Sequence, residues 1–471
     1  MKSKKLSPQS WIAPFLFFLI VLSACSPGAV ETAPEYETPA TSTEKPTEAP
    51  EEQVTATQQE PTEVTLTLAT EAPKEEIKPL AILQQHVFQS SRYGAVYAFL
   101  IENPNKESYI ANSIFQVDAF DTNNNLLDTR TIDLSPIPPG ETFGVSGPLI
   151  TEGNNTFSRV EVITIYEGEP LLATSNQIAN FEISDLQYGT SLYGYIYASA
   201  IIKNPSDNYY SWLNTSVLFF DESGEIVGAA YKDLSFINPT SSSGLLFRSN
   251  LTDADVKDSS ITPVVNVQYY LDDQRGIPDD ASDLTVIDYG FSPKDNGFSF
   301  GVLIKNPNPN YAVEFSFIKM TAYGLENRVL FTEEYSIPVL TPNQTLGVAY
   351  FWNFAENDQI IDRIDIQLSS GYYYESDILP FFETENLSIS NNRVLGAIKN
   401  PFAKDFPSLM VFALLYDDSG NIIGGSYGWF DFLAESKTNI EILFGSFENV
   451  ASAELYTSVN IMSNLEGLPP D

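Results

Sequence analysis

The chain holds one thiol, Cys25, and one imidazole, His86. Zinc centres built from Cys and His need several such ligands, so that class is excluded, and a lone cysteine leaves no disulfide within the chain. A Ser-His-Asp catalyst would have to work through His86. That residue sits in "LQQHVFQ", which reads as an early strand. Carboxylates are the abundant titratable groups, with 62 Asp and Glu against 24 Lys and Arg. Two of them facing across a cleft would make a glycoside-hydrolase-like enzyme. No phosphate-cradling glycine loop, nucleophile–base pair or metal cluster accompanies them. The reading is therefore a non-enzymatic protein that needs no cofactor, with the paired-carboxylate hydrolase as an alternative. "DTNNNLLD" at 121–128 opens like a calcium loop. It then places Leu126 where the turn glycine belongs and Ile132 where the closing Glu belongs, so it reads as a hairpin tip. "YLDDQRGIPDDASD" at 270–283 reads as an inter-domain linker, with a cation-stiffened junction as the alternative.

Aromatic side chains are the stronger binding signal. "SDNYYSW" and "SSGYYYES" set Tyr209, Tyr210, Trp212, Tyr372, Tyr373 and Tyr374 beside polar turn residues. Rigid rings give sugars or peptides contact area at little entropic cost. The competing expectation is that alternate rings pack inward. The net charge of −38 repels nucleic acid phosphate, so DNA and RNA are excluded as partners. It also disfavours anionic headgroups, so membrane attachment must be covalent or inserted.

These candidates need a scaffold, and the sequence supplies one four times. Asn103, Asn204, Asn306 and Asn400 each precede Pro and each end an apolar run, at intervals of 101, 102 and 94 residues. Pro cannot extend a central ladder, the residue before it is pushed to extended conformations, and Asn opens a turn, so each pair is a strand stop. Sixteen or seventeen residues later stands an aromatic: Phe120, Phe220, Tyr323 and Tyr416. Three of these are followed by an Asp turn ("FDTNNN", "FDESGE", "YDDSGN"); the third repeat departs with "YGLEN". In three repeats a second Pro (Pro139, Pro239, Pro342) follows 34 or 35 residues after the first. Short strands with Pro, Gly and Asn turns predict an all-β fold of four tandem β-sandwiches, at 80–170, 180–272, 283–378 and 381–466. In "SIFQVDAF" the apolar residues alternate cleanly; in "SLMVFALLY" both faces are apolar and the inward face is ambiguous.

The N-terminus carries an address. Lys2, Lys4 and Lys5 precede an apolar segment at 11–22, too short for a comfortable membrane span. It ends in Leu22-Ser23-Ala24-Cys25, which resembles the bacterial lipobox. The resemblance implies a signal peptide at 1–24, diacylglycerol on Cys25, and a lipid-anchored, extracytoplasmic place at the bacterial surface, with the membrane as a partner through the anchor. Residues 26–79 contain eleven Thr, twelve Glu and eight Pro. Such a segment buries too little surface to fold, so 25–79 is expected to be a disordered, extended stalk.

The pieces "IIKNPSDN…FFDESGE", "AIKNPFAKD…LLYDDSGN" and "SPIPPGET" resemble FxLYD-type, immunoglobulin-like modules of bacterial extracytoplasmic proteins. The leading Phe of that signature is replaced by Val117, Val217, Met320 and Ala413. The resemblance implies an Ig-like fold and an extracytoplasmic setting, and no chemistry. The expected role is a scaffold for adhesion or protein binding, with polysaccharide or cell-wall recognition through Tyr and Trp as the alternative.

Overall fold

The computed structural model describes residues 77–91, 94–150, 156–171, 178–191, 194–252, 262–271, 277–294, 297–353, 360–378, 382–445, 447 and 449–460. Cys25, the signal segment and the stalk up to residue 76 lie outside the described residues; the last residues of the expected disordered stalk belong instead to sandwich one, where Ile77 packs against the core and Lys78 N–H donates to Asn105 Oδ1 (2.7 Å). The first sandwich comprises β1 (Ala81–Ser91), β2 (Gly94–Glu102), β3 (Tyr109–Ala111), β4 (Ser113–Phe120), β5 (Leu126–Leu134), β6 (Thr142–Ile150), β7 (Arg159–Tyr166) and β8 (Glu169–Leu171). The second has β9 (Glu182–Thr190), β10 (Tyr195–Lys203), β11 (Tyr210–Phe220), β12 (Ile226–Ile237), β13 (Ser242–Thr252) and β14 (Thr262–Leu271). The third has β15 (Thr285–Lys294), β16 (Gly297–Lys305), β17 (Tyr311–Glu314), β18 (Phe317–Tyr323), β19 (Val329–Ser336), β20 (Thr345–Asn353), β21 (Arg363–Leu368) and β22 (Tyr372–Glu375). The fourth has β23 (Glu383–Ser390), β24 (Arg393–Lys399), β25 (Phe406–Tyr416), β26 (Ile422–Phe432), β27 (Lys437–Leu443) and β28 (Ser452–Thr457).

Each sandwich pairs two antiparallel three-stranded sheets. The first sheets run β1-β2-β6, β13-β10-β9, β15-β16-β20 and β23-β24-β27; the second run β5-β4-β7, β12-β11-β14, β19-β18-β21 and β26-β25-β28. Sandwiches one and three add a two-stranded ribbon, β3–β8 and β17–β22. Alternation sets the faces: Phe115, Val117 and Ala119 of β4 are fully buried while Gln116 and Asp118 point away.

The four Asn-Pro asparagines do more than open a turn, and their geometry explains why two motifs keep register. All four are buried. The Oδ1 of Asn306 accepts from the backbone N–H of Asn308 (3.1 Å), as a turn-opening Asn should. Its Nδ2 donates to Tyr311 O (2.7 Å) and across to Leu340 O (3.1 Å) and Thr341 O (3.0 Å), beside the second Pro. Asn103 reaches Ile137 and Pro138, Asn204 reaches Asn238, and Asn400 reaches Leu433 in the same way. One amide therefore clamps the loop after the second strand to a turn over thirty residues downstream. The aromatics that keep the same register lie on the central strand of the second sheet. Phe120 and Tyr323 are covered by Arg159 and Arg363 at 3.9 and 3.7 Å, and the hydroxyl of Tyr416 donates to Glu454. The departing "YGLEN" forms a short 3-10 turn, Leu325–Asn327, in place of the Asp hairpin.

The sandwiches are not separate bodies on a string; residues 74–471 form one compact unit. Val96 and Ala98 of the first sheet of sandwich one pack on Leu218, Ile226 and Ala229 of sandwich two. Phe412, Leu414 and Ile422 of sandwich four join the core of sandwich three. This resolves "SLMVFALLY": Leu409, Val411, Ala413 and Leu415 face their own core, and Phe412 and Leu414 face the neighbour. A strand covered on both faces loses its alternation. The two interfaces are built alike. A Cβ on Gly144 would lie 2.5 Å from Leu218 Cδ1, and one on Gly347, forty-one residues after its own asparagine as Gly144 is, would lie 2.8 Å from Leu414 Cδ1. The larger repeat is thus a pair, one–two and three–four.

The second–third junction differs by being polar. Lys319, fully buried, donates to Phe236 O (2.6 Å), sits 4.2 Å over the Phe236 ring and lies 4.0 Å from Glu334 Oε1. Ser235 N–H donates to Glu334 Oε2 (2.8 Å), Asn238 Nδ2 to Leu368 O (3.0 Å), and Gln367 Nε2 to Ser242 O. Among the described residues no further sheet covers the second sheet of sandwich one, whose outward side exposes Ile163 and Ile165 beside Gln116 and Asp118, or the first sheet of sandwich four, which exposes Leu387 and Leu443 among charged residues. The last is laced by the exposed ion pairs Arg393–Glu441, Lys399–Glu383 and Lys437–Glu385. Such pairs contribute little stability but keep the face wet.

Candidate functional site: exposed aromatic faces

Eight or nine residues after each Asn-Pro asparagine the chain bends into its second sheet through a left-handed residue. These are Asn112 (φ 60), Trp212 (φ 53), Phe315 (φ 55) and Ser408 (φ 53). Asn accepts that conformation cheaply; for a bulky side chain it costs about 1–2 kcal/mol. Trp212 and Phe315 take it and are also 64% and 51% exposed. Neither ring is buried in a core, so burial does little to offset the strain.

The six aromatics singled out from sequence divide. Tyr210 is 1% exposed and packs edge-on against Phe181 (5.0 Å) and Tyr269 (5.5 Å), so it is a core residue and not a surface platform. Tyr209 is half-buried and stacks on Phe236 at 6.5 Å and 11°. Tyr373 is half-buried against the core of sandwich three, with its hydroxyl on Ser282 O (3.2 Å). Trp212, Tyr372 (63%) and Tyr374 (40%) face solvent. Ribbon pairing places Tyr372 and Tyr374 opposite Glu314 and Ala312 on one face, and Tyr373 opposite Val313 on the other. Phe315 joins Tyr372, edge-to-face at 6.0 Å and 88°. Among the described residues no ring contact links Trp212 to this group. Sequence reading missed Phe315. Aligning the repeats on their asparagines would have exposed it, since Asn112 holds the same place.

A cleft of ≈ 380 Å³ opens at the second–third junction. It is lined by Leu284, Ile366 and Leu368 and by one carboxylate, Asp283, whose Oδ1 accepts from Ser370 Oγ at 3.1 Å. A single carboxylate offers no acid–base pair of the kind glycoside hydrolysis requires. His86 stacks on Phe88 in β1 (6.0 Å). Lys319 has its pKa held down to about 8 by burial, with Glu334 and Asp365 pulling the other way. The Asp turns are self-contained. Asp121, Asp221 and Asp417 are held below the usual carboxylate range chiefly by the side chains of Asn125, Ser223 and Asn421. In "DTNNNLLD" the Asp121 oxygens are taken by Asn123 N–H, Asn125 N–H and Asn125 Nδ2, which closes a hairpin tip. Among the described residues no three His, Cys, Asp or Glu side chains converge as metal ligands. The arrangement can hold a ligand by ring contact and charge. Comparison with protein-family models and with curated proteins gives no match to this chain.

Proposed function

We propose that this chain is a lipid-anchored, extracytoplasmic scaffold for adhesion or protein binding, tethered through Cys25 and without enzymatic chemistry. The observation that carries the reading is the placing of exposed rings, two of them on left-handed backbone, on a stiff support. Trp212, Phe315 and Tyr372 stand outward on sandwiches whose neighbouring faces are buried against one another. Preorganised rings lose little entropy on binding. The lipobox resemblance and the Thr/Pro/Glu-rich stalk supply the tether and the reach, and the resemblance to FxLYD-type modules supplies the setting. Recognition of polysaccharide is the second reading, favoured by Trp212, whose indole is the most exposed of the candidate rings.

Fractionation tests the anchor. The wild-type chain is expected in the membrane pellet and released by detergent, and Cys25→Ser is expected in the soluble fraction. Equal membrane retention of the two defeats the tether.

A further inference from the structure

We propose that the face of sandwich three bearing Phe315, Tyr372 and Tyr374 is a docking surface for a cationic peptide segment rich in Arg or Lys. This rests on the protein-binding reading above and gives it a site and a partner chemistry.

Sandwich one is an internal control. Its ribbon β3–β8 is built like β17–β22. Ile110 bridges to Ile137 as Val313 bridges to Leu340. Gly168 approaches the carbonyl of Ala111 as Gly371 approaches that of Glu314. Asn112 stands where Phe315 stands, nine residues after its asparagine. Glu169, opposite Ala111, corresponds to Tyr372 opposite Glu314; Leu171, opposite Tyr109, corresponds to Tyr374 opposite Ala312. The scaffold therefore forms with none of the three rings. Their presence in sandwich three is not a folding requirement, and Phe315 adds backbone strain.

The partner follows from charge and ring geometry. Among the described residues three rings already carry a cation: Phe120 under Arg159, Tyr323 under Arg363 and Phe236 under Lys319. Among the described residues none covers Phe315, Tyr372 or Tyr374. The segments 279–284, 310–316 and 370–378 hold no Lys or Arg; of their acids Glu314 lies on the ring side of the ribbon, opposite Tyr372, while Glu375, and Asp280 through its bond from the Tyr311 hydroxyl, lie on the Tyr373 side. With a net charge of −38, the field draws cations toward the rings, and ring faces hold them on arrival. The edge-to-face setting of Phe315 and Tyr372 is not the flat platform on which a sugar ring lies. It leaves a ring face beside a ring edge, where a planar guanidinium stacks.

The test uses the full chain in detergent, with a fluorescein-labelled decapeptide of alternating Arg and Ser as probe, read by anisotropy at about 150 mM salt, where diffuse attraction is screened. The comparison is the triple variant Phe315→Asn, Tyr372→Ser, Tyr374→Leu. It alters no charge and moves two of the three positions to the residues of sandwich one. Its folding is checked by circular dichroism and by tryptophan emission. The expected result is at least about a tenfold loss of affinity in the variant. Equal affinity means that spread-out charge holds the peptide, and overturns the proposal. So does a wild type that ignores the peptide but binds chitohexaose through these rings. Wild-type protein left soluble with Cys25 intact sinks the anchored-scaffold reading, whatever the peptide does. Membrane-held protein with variant-insensitive affinity sinks the docking surface alone.

Discussion

Replacing Asn306 separates two roles that a loop asparagine can play. As a turn opener it needs only its Oδ1, which accepts from Asn308 N–H, and Asp serves that role equally well. As a clamp it needs the Nδ2 hydrogens, which reach three carbonyls at 2.7–3.1 Å in a site with no solvent exposure. Asn306→Ala removes all of these and orphans two or three buried groups, at about 1–3 kcal/mol each, so a loss of about 3–5 kcal/mol is expected. Asn306→Asp loses the same donors and turns carboxylate oxygens toward carbonyl oxygens, so it should cost at least as much as Ala. Against a domain stability of about 5–15 kcal/mol either is severe. Denaturant unfolding followed by tryptophan emission, in a background with Trp11, Trp212 and Trp429 replaced by Phe, leaves Trp352, 4.8 Å from Phe331 inside sandwich three, to read the affected body. Asn400→Ala, with two donations and one acceptance, should cost less. If Asn306→Asp unfolds within about 0.5 kcal/mol of wild type, the clamp is refuted and the Asn-Pro pairs are turn signals only.

Gly290 lies where a Cβ would overlap the carbonyl oxygen of Ile422 in the next sandwich. Gly290→Ala should therefore loosen the third–fourth interface, seen as faster proteolysis between the two and as a separate unfolding step by calorimetry. Lys319 gives a pH dependence. Its folded pKa, about 8, lies below the ordinary value of 10.5, so the unfolded chain binds more protons between those values, and stability rises with pH from about 8. The penalty, about 3 kcal/mol, is fully in place below pH 8. Unfolding midpoints should climb between pH 8 and 9.5, and the slope should vanish in Lys319→Met. Above about pH 10 the buried Tyr335 and Tyr350, whose pKa values burial pushes up, reverse the trend. Phe315→Asn alone should stabilise sandwich three by about 1 kcal/mol through relief of the left-handed strain; a fall in midpoint would show that the ring packs after all.

What the sequence could and could not reveal follows from the range of each interaction. Strand stops are local, so Asn-Pro spacing marked four units, and β4 showed its faces by alternation. The partner of each asparagine is over thirty residues away, so its role as a clamp left no local trace beyond the constant distance to the second Pro. Burial between sandwiches is more distant still. Both faces of β25 are apolar because sandwich three covers one of them, and a single strand does not name its neighbour. The same reasoning accounts for the aromatics. In "SDNYYSW" alternation would put Tyr210 and Trp212, two apart, on one face, yet the left-handed bend at Trp212 breaks it, so Tyr210 enters the core while Trp212 stays in water. Comparing repeats recovers part of this. A position that the fold fills with Asn in one sandwich and Phe in another is not set by folding alone, which is why the proposed docking surface rests on Phe315 and not on the longer run of tyrosines.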